Sequence, residues 1–424
     1  MIKITEKIKH DSFYKDLLVT FAGQILVMLL SFVLNKIISN QYSVSDFGTY
    51  NLIKRLASVI TFVMLMALGI AIPKFVAEAK AKKDSKLMES YMLSGIITIC
   101  GMFVIVTMCM TIFGKFWGKV VFNDSSYESY MFVVCLFSLA NCLVTYVYSY
   151  YRGINSFYKY SFINIVLQVI FIVSTIFVKQ NLWLLYLVWA IVTIAYALIE
   201  VVIIYKKNQY SMRNIKNKLF TFRELITYSL PRMPGEFILF AYSLVPLTII
   251  SYKFGKTQVG YFSAALSINS LITPLFSLVG TILLPLVSGS KLNNSENEVN
   301  KKIRILGYIY LIVSVLGVAF VFLFGKILLV ILFNQEYVKS FNLVKIMIVS
   351  IIPNAFYLLL RNPLDGKSKF PYNTICLAIS FVVYIILLAI APSIEMCAAY
   401  TIVAYSLLGG LSLICWNRVK LSKS

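Results

Sequence analysis

The chain has 424 residues, 60% of them apolar and only 13% charged, and its 39 basic against 17 acidic residues leave a formal charge of +22. A soluble domain averages about 45–50% apolar and about 25% charged residues, so a disordered chain, a collagen-like chain and an ordinary water-soluble enzyme are excluded. Such a basic balance suggests nucleic acid, but a chain this apolar would not stay in solution to meet it, so what matters is where the basic residues lie along the chain.

The first sixteen residues mix both charge signs (Lys3, Glu6, Lys7, Lys9, Asp11, Lys15, Asp16) and hold His10, the one histidine. Ser-His-Asp or multi-histidine metal chemistry is therefore not expected. A transmembrane helix needs about 20 mostly apolar residues. That window predicts twelve spans, at 17–39, 47–72, 91–113, 130–151, 161–178, 182–205, 226–252, 259–286, 305–324, 341–360, 373–391 and 396–416. Backbone groups facing lipid must be satisfied within a helix or a closed barrel. The runs are too long and continuous for barrel strands, so the fold class is all-α, a polytopic membrane protein. Span 1 is too long for a signal-peptide core. Asn35-Lys36-Ile37-Ile38-Ser39-Asn40 follows it in place of a small-residue cleavage site, so it reads as an uncleaved helix.

Counting Lys and Arg between spans places 27 on one side and 7 on the other, in strict alternation. Basic residues favour the cytoplasm, so both termini are expected there. The other five (Lys36, Lys54, Arg55, Arg232, Lys345) fall within spans. All seven cysteines lie in apolar runs without a CxxC pair, which supports neither a zinc site nor a disulfide framework. They read as small buried apolar residues. No GxxxxGK[ST] loop is present, so ATP is not the direct energy source, and no cofactor is expected.

The halves of the chain resemble each other. Gly48 of Phe47-Gly48-Thr49-Tyr50 precedes Pro73 by 25 residues, and Gly260 of Val259-Gly260-Tyr261-Phe262 precedes Pro285 by 25, an offset of 212. Six spans per half preserve orientation, which predicts parallel repeats. The expected lobes are 1–210 and 211–424, with the basic loop 206–224 as linker. Sites in such folds lie at the repeat interface near the midplane.

Helical periodicity groups polar residues into stripes: Thr20, Gln24, Ser31 and Asn35 in span 1; Asn51, Lys54, Arg55, Ser58 and Thr61 in span 2; Ser138, Asn141, Cys142, Thr145, Ser149 and Arg152 in span 4; Ser161, Asn164, Gln168 and Thr175 in span 5; Ser263, Ser267, Ser270, Ser277 and Thr281 in span 8. A single stripe reads as helix–helix glue. Five together favour a hydrated central polar cavity. Prolines cluster in spans 7 and 8 (Pro231, Pro234, Pro246, Pro274, Pro285), either as fixed kinks or as a bend in span 7 that gates the cavity.

Charges within a membrane are costly. Lys36 and Lys345 lie near span ends, where snorkelling accounts for them. Lys54 and Arg55 lie seven and eight residues past Phe47, roughly 10–12 Å deep, with no acidic partner in their span, and form the main candidate anion site. Arg232 and Glu236 stand i, i+4 on span 7. They are an internal ion pair, or else Glu236 couples to a cation while Arg232 helps to hold an anion. Asp46 is expected to cap span 2, and Glu200 lies near the cytoplasmic end of span 6. The basic bias suits a phosphate-bearing substrate.

The spans, the repeat, Phe47-Gly48-Thr49-Tyr50, Leu68-Gly69-Ile70, Pro73-Lys74-Phe75-Val76-Ala77 and Tyr228-Ser229-Leu230-Pro231 together resemble the Wzx-type polysaccharide (O-antigen) flippases. These form the polysaccharide transport family of the multidrug/oligosaccharidyl-lipid/polysaccharide exporter superfamily. The resemblance implies two six-helix lobes and a transporter, not an enzyme, in the bacterial cytoplasmic (inner) membrane. Its substrate would be an undecaprenyl-diphosphate-linked oligosaccharide, moved from the cytoplasmic to the outer leaflet by alternating access for O-antigen, lipopolysaccharide or capsule biosynthesis. It further implies a coupling ion, H+ or Na+, membrane lipids, and polymerase and chain-length regulator proteins as partners, with no nucleic acid. The substrate-binding candidates are Lys54, Arg55, Arg232, Asn51, Gln24, Asn141, Asn164 and Gln168, and Glu236 is the ion-coupling candidate. A multidrug/cation antiporter of the same architecture would need acidic cavity residues. A membrane-embedded polysaccharide polymerase would need a large outer loop or paired catalytic carboxylates, and the longest outer loops here hold about sixteen residues.

Overall fold

The computed structural model describes residues 2–210, 218–230, 233–271, 273, 276, 296–368 and 370–421. Among them there are no strands and sixteen α-helices. The first eight are α1 (Ile2–Gln41), α2 (Val44–Leu65), α3 (Leu68–Ala81), α4 (Ser85–Ile112), α5 (Gly114–Phe122), α6 (Glu128–Gly153), α7 (Phe157–Phe177) and α8 (Leu182–Lys207). The rest are α9 (Lys218–Ser229), α10 (Met233–Phe254), α11 (Lys256–Asn269), α12 (Glu296–Leu332), α13 (Phe341–Ile348), α14 (Ile351–Lys367), α15 (Tyr372–Ile390) and α16 (Ile394–Leu421). Nine helices among these residues are long and apolar enough to cross a membrane, and two bent pairs, α2 with α3 and α13 with α14, raise the number to eleven. α11 begins the remaining expected span, 259–286, whose residues 272, 274, 275 and 277–286 lie outside the described residues. The protein is a multi-pass, all-helical membrane protein.

Two compact units are present: Met1–Gln41 with Ile53–Met233, and Tyr42–Leu52 with Pro234–Ser424. The chain passes into the second unit for good only after Met233. The reason lies in α9, which packs on α3 and α4 of the first unit. The Tyr91 hydroxyl donates to the Glu224 carboxylate, and Ser94 and Thr221 hydroxyls meet at 2.8 Å. Lys74 Nζ stands 3.9 Å above the Tyr228 ring. Span 7, expected from residue 226, is therefore α10, and residues 226–229 belong to α9.

In the first unit α6 is the central helix, packed by α3, α4 and α8. Its polar atoms are met by neighbours, as a buried membrane helix requires. Ser138 Oγ donates to the Ala57 carbonyl at 3.1 Å, and the buried Tyr146 hydroxyl donates to the Met92 carbonyl at 3.0 Å. Helix starts carry side-chain caps: Asp84 accepts from the Leu87 amide and Asn181 from the Leu184 amide. At α2 the cap is Ser43, whose hydroxyl accepts from the Asp46 amide at 3.1 Å and donates to the Asp46 carboxylate at 2.7 Å. Ser43 is thus the cap of α2, and Asp46, expected as the cap, is the third residue whose amide it satisfies.

In the second unit α16 packs on α13, α14 and α15, around a core that includes Tyr357, Cys376, Leu377 and Leu408. Lys253 Nζ donates to the carbonyls of Ala389 and Ala391, at 2.8 and 2.6 Å. A cation thereby satisfies the orphan end of α15 and opposes its dipole. The opening turns of α2 belong to this unit. Phe47 is fully buried, with ring centroids 5.6 Å from Phe333 and 5.3 Å from Tyr337. A Cβ on Gly48 would collide with the Lys256 carbonyl, and one on Gly260 with the Val44 carbonyl. The contact is reciprocal across the 212-residue offset.

Two spans are broken. α2 and α3 meet at 43° through Met66 and Ala67, both left-handed, with φ of 47° and 58°. α13 and α14 meet at 53°, and there Pro353 sits in the first turn of α14, where a missing amide is tolerated.

Candidate functional site

The site is best built from α2. It is apolar except for one face, and Lys54 and Arg55 follow its fully buried Leu52 and Ile53. Lys54 is exposed and Arg55 half-buried. An exposed lysine ten residues into an apolar helix is tolerable only where water or an anion reaches it. Asn51 is buried, and its amide donates back to the Phe47 carbonyl at 2.9 Å. Ser58 likewise bonds the Lys54 carbonyl at 2.9 Å. Asn51 is therefore held within its own helix.

The remaining candidates separate into two kinds. Asn164 on α7 accepts from the Tyr148 hydroxyl at 2.7 Å and donates to the Tyr160 carbonyl at 3.0 Å. For Asn164 the glue reading holds, as it does for Ser138 between α2 and α6. Gln24 on α1 is exposed, and Asn141 on α6 and Gln168 on α7 are half-buried. Among the described residues these three make no side-chain hydrogen bond, and they keep their polar groups available. Arg232 lies outside the described residues. Lys345 Nζ rests 4.8 Å from the Phe341 ring centroid on its own helix, and Glu200 accepts from the Tyr151 hydroxyl at 2.8 Å.

Glu236 has a partner that periodicity within one span did not reveal. Its carboxylate accepts from Arg361 Nη2 at 3.0 Å, with both side chains about one-third exposed. Hydropathy ends the span at Leu360 and leaves Arg361 in the connection 361–372, but α14 continues to Lys367 and carries it on the helix. Asp365, one turn on, accepts from the Asn373 amide at 2.6 Å, and the same amide donates to the Arg361 carbonyl at 2.6 Å. Asn373 Oδ1 and the Tyr357 hydroxyl are buried and have no hydrogen-bond partner among the described residues. Glu236, Tyr357, Arg361, Asp365 and Asn373 thus form an oxygen-rich polar cluster across α10, α14 and α15. The sequence clue available for it was a basic–acidic pair four residues apart, Arg361 and Asp365, directly after an apolar run. Among the described residues no cluster of three or more His, Cys, Asp or Glu is placed to hold a metal.

Residues 13–291, well over half of the chain, match the polysaccharide biosynthesis protein family. No curated protein matches the sequence. An inward-facing multidrug resistance MATE family transporter of the MOP superfamily is similar in structure at TM-score 0.81 and 11% identity, over 96% of this chain and 100% of that one. The lipid II flippase MurJ, inward closed, is similar at TM-score 0.75 and 13% identity, over 94% and 87%. A MOP superfamily transporter from Pyrococcus furiosus, in which a reversed binding-pocket polarity suggests a different function, is similar at TM-score 0.65 and 12% identity, over 96% and 95%. The chain belongs to the polysaccharide biosynthesis protein family and is built on the fold of the MOP superfamily transporters.

Proposed function

We propose that the protein is a flippase that carries an undecaprenyl-diphosphate-linked oligosaccharide from the cytoplasmic to the outer leaflet of the bacterial inner membrane, with both termini cytoplasmic. The observation that carries this reading is the adjacent pair Lys54 and Arg55 well inside an apolar helix, one exposed and one half-buried. Two cations at that depth suit a diphosphate, which Arg meets with paired, charge-assisted hydrogen bonds. Gln24, Asn141 and Gln168 offer amides to sugar hydroxyls. Membership of a polysaccharide biosynthesis family supports the substrate class, and likeness in fold to a lipid II flippase supports the mode of transport. In the Pyrococcus furiosus transporter a reversed pocket polarity suggests a different function, and here a cationic site disfavours the cation-antiporter alternative.

Glu236 is the coupling residue in this reading. Protonation, or an arriving Na+, competes with Arg361 for its carboxylate, so the ion pair opens and closes with the transport cycle. Product then passes to polymerase and chain-length regulator proteins. The test is deletion followed by analysis of lipid-linked intermediates. Complete undecaprenyl-linked units should accumulate on the cytoplasmic side, and Arg55→Ala should reproduce the defect at normal protein levels. Full surface polysaccharide in Arg55→Ala would remove the site, and single units accumulating outside would indicate a polymerase.

A further inference from the structure

A cavity lies within the second unit. It has a volume of about 250 Å³ and is walled by α12, α14 and α16. Its lining is graded along the helix axis. Asn300, Arg304 and Asn417 form one end, and Leu311, Phe356 and Leu413 the other. From Asn300 to Leu311 the axial rise is about 16 Å, close to half the apolar thickness of a bilayer. Gly307 keeps the middle open, since a Cβ there would come no nearer than 3.6 Å to Leu359. The buried Trp416 forms the wall beside the polar end, as interfacial tryptophans do. Tyr308 is 62% exposed and Leu413 38% exposed, so the cavity is open at its side. Among the described residues Arg304 makes no ion pair, and the amides of Asn300 and Asn417 make no hydrogen bond.

We infer that this cavity binds one anionic glycerophospholipid, with its phosphodiester held by Arg304, Asn300 and Asn417 and one acyl chain running past Gly307 toward Leu311 and Phe356. A single guanidinium with two amide donors matches a singly charged phosphodiester. Lys367 Nζ, 6.0 Å from the Trp416 ring centroid, adds a second cation beside this wall, so the test below sets the phosphodiester directly against a diphosphate. Basic pockets between membrane helices at the headgroup level bind anionic lipids on the same principle. The inference does not depend on the flippase reading.

The experiment uses the full chain purified in detergent, titrated separately with phosphatidylglycerol, phosphatidylcholine and undecaprenyl diphosphate. Native mass spectrometry counts bound lipid and a thermal-shift assay reads stability. One phosphatidylglycerol should bind in preference to phosphatidylcholine and raise Tm. Arg304→Gln should weaken it by about tenfold, the scale of one charge-assisted hydrogen bond. Gly307→Leu, which fills the slot, should abolish it while Arg55→Ala leaves it unchanged. Should Gly307→Leu fail to fold, Arg304→Gln at the rim decides alone. Equal binding of both phospholipids, an unchanged affinity in Arg304→Gln, or displacement of phosphatidylglycerol by an equimolar amount of undecaprenyl diphosphate would each overturn the inference.

Discussion

Glu236 and Arg361 are close enough to exchange a proton or an ion for their mutual contact, and their one-third exposure keeps water within reach. Breaking the pair on one side leaves a partly desolvated charge. Glu236→Gln is therefore expected to lower stability by about 1–2 kcal/mol, less than for a fully buried pair because solvent screens both groups. It should also abolish the pH or Na+ dependence of transport while protein levels hold. Arg361→Gln should cost a similar amount, and the double variant should cost little more than either alone. A proteoliposome assay with imposed gradients measures the first effect and a thermal-shift series the second. Why the sequence exposed Lys54 and Arg55 but hid Arg361 follows from the same physics. A charge inside an apolar run contradicts its surroundings and is visible in one dimension. Arg361 instead follows the run that ends at Leu360, where a charge looks like a loop residue, and only the fold reveals that the helix continues to Lys367 and faces α10. Asn164 errs the other way: its place on a polar stripe could not disclose that Tyr148 already holds it.

The long spans were legible because each is a continuous apolar run of bilayer length. Their breaks were not equally so. Neither was expected: Pro353 marks the α13–α14 bend inside the span 341–360, whereas Leu65-Met66-Ala67-Leu68 carries neither Gly nor Pro at the α2–α3 break. A non-glycine residue in the left-handed region costs about 1–2 kcal/mol. The expected outcome for Ala67→Gly is a gain of about 1 kcal/mol, read as a higher melting temperature in detergent. Slowed transport in the same variant would mean that the strain at this break is used during the cycle. A second test concerns α9, which hydropathy merged with span 7. Since Tyr91 and Thr221 fasten it to α4, Tyr91→Phe should make the linker more open to limited proteolysis after Arg223 without lowering the amount of protein in the membrane.

The 27-to-7 distribution of basic residues predicts a sidedness that can be measured directly. In a cysteine-free background, a cysteine at Lys119 should react with an impermeant maleimide on intact cells, and one at Lys83 only after permeabilisation. The opposite result would invert every assignment of leaflet made above. The expected result would assign most of the basic residues to orientation. The repeat was legible too, as two glycines and two prolines at one offset, although nothing in their spacing said that the glycines touch. Gly48 presses on the backbone of α11 and Gly260 on that of α2, so one close approach is defined twice. Gly48→Ala or Gly260→Ala alone must push the two helices apart, at about 1–3 kcal/mol. Once they are apart, the second alanine meets no backbone. The two substitutions should therefore show a coupling energy of about 1 kcal/mol or more. The double variant would be scarcely less stable than either single one, so a lineage that had lost one of these glycines would be nearly free to lose the other.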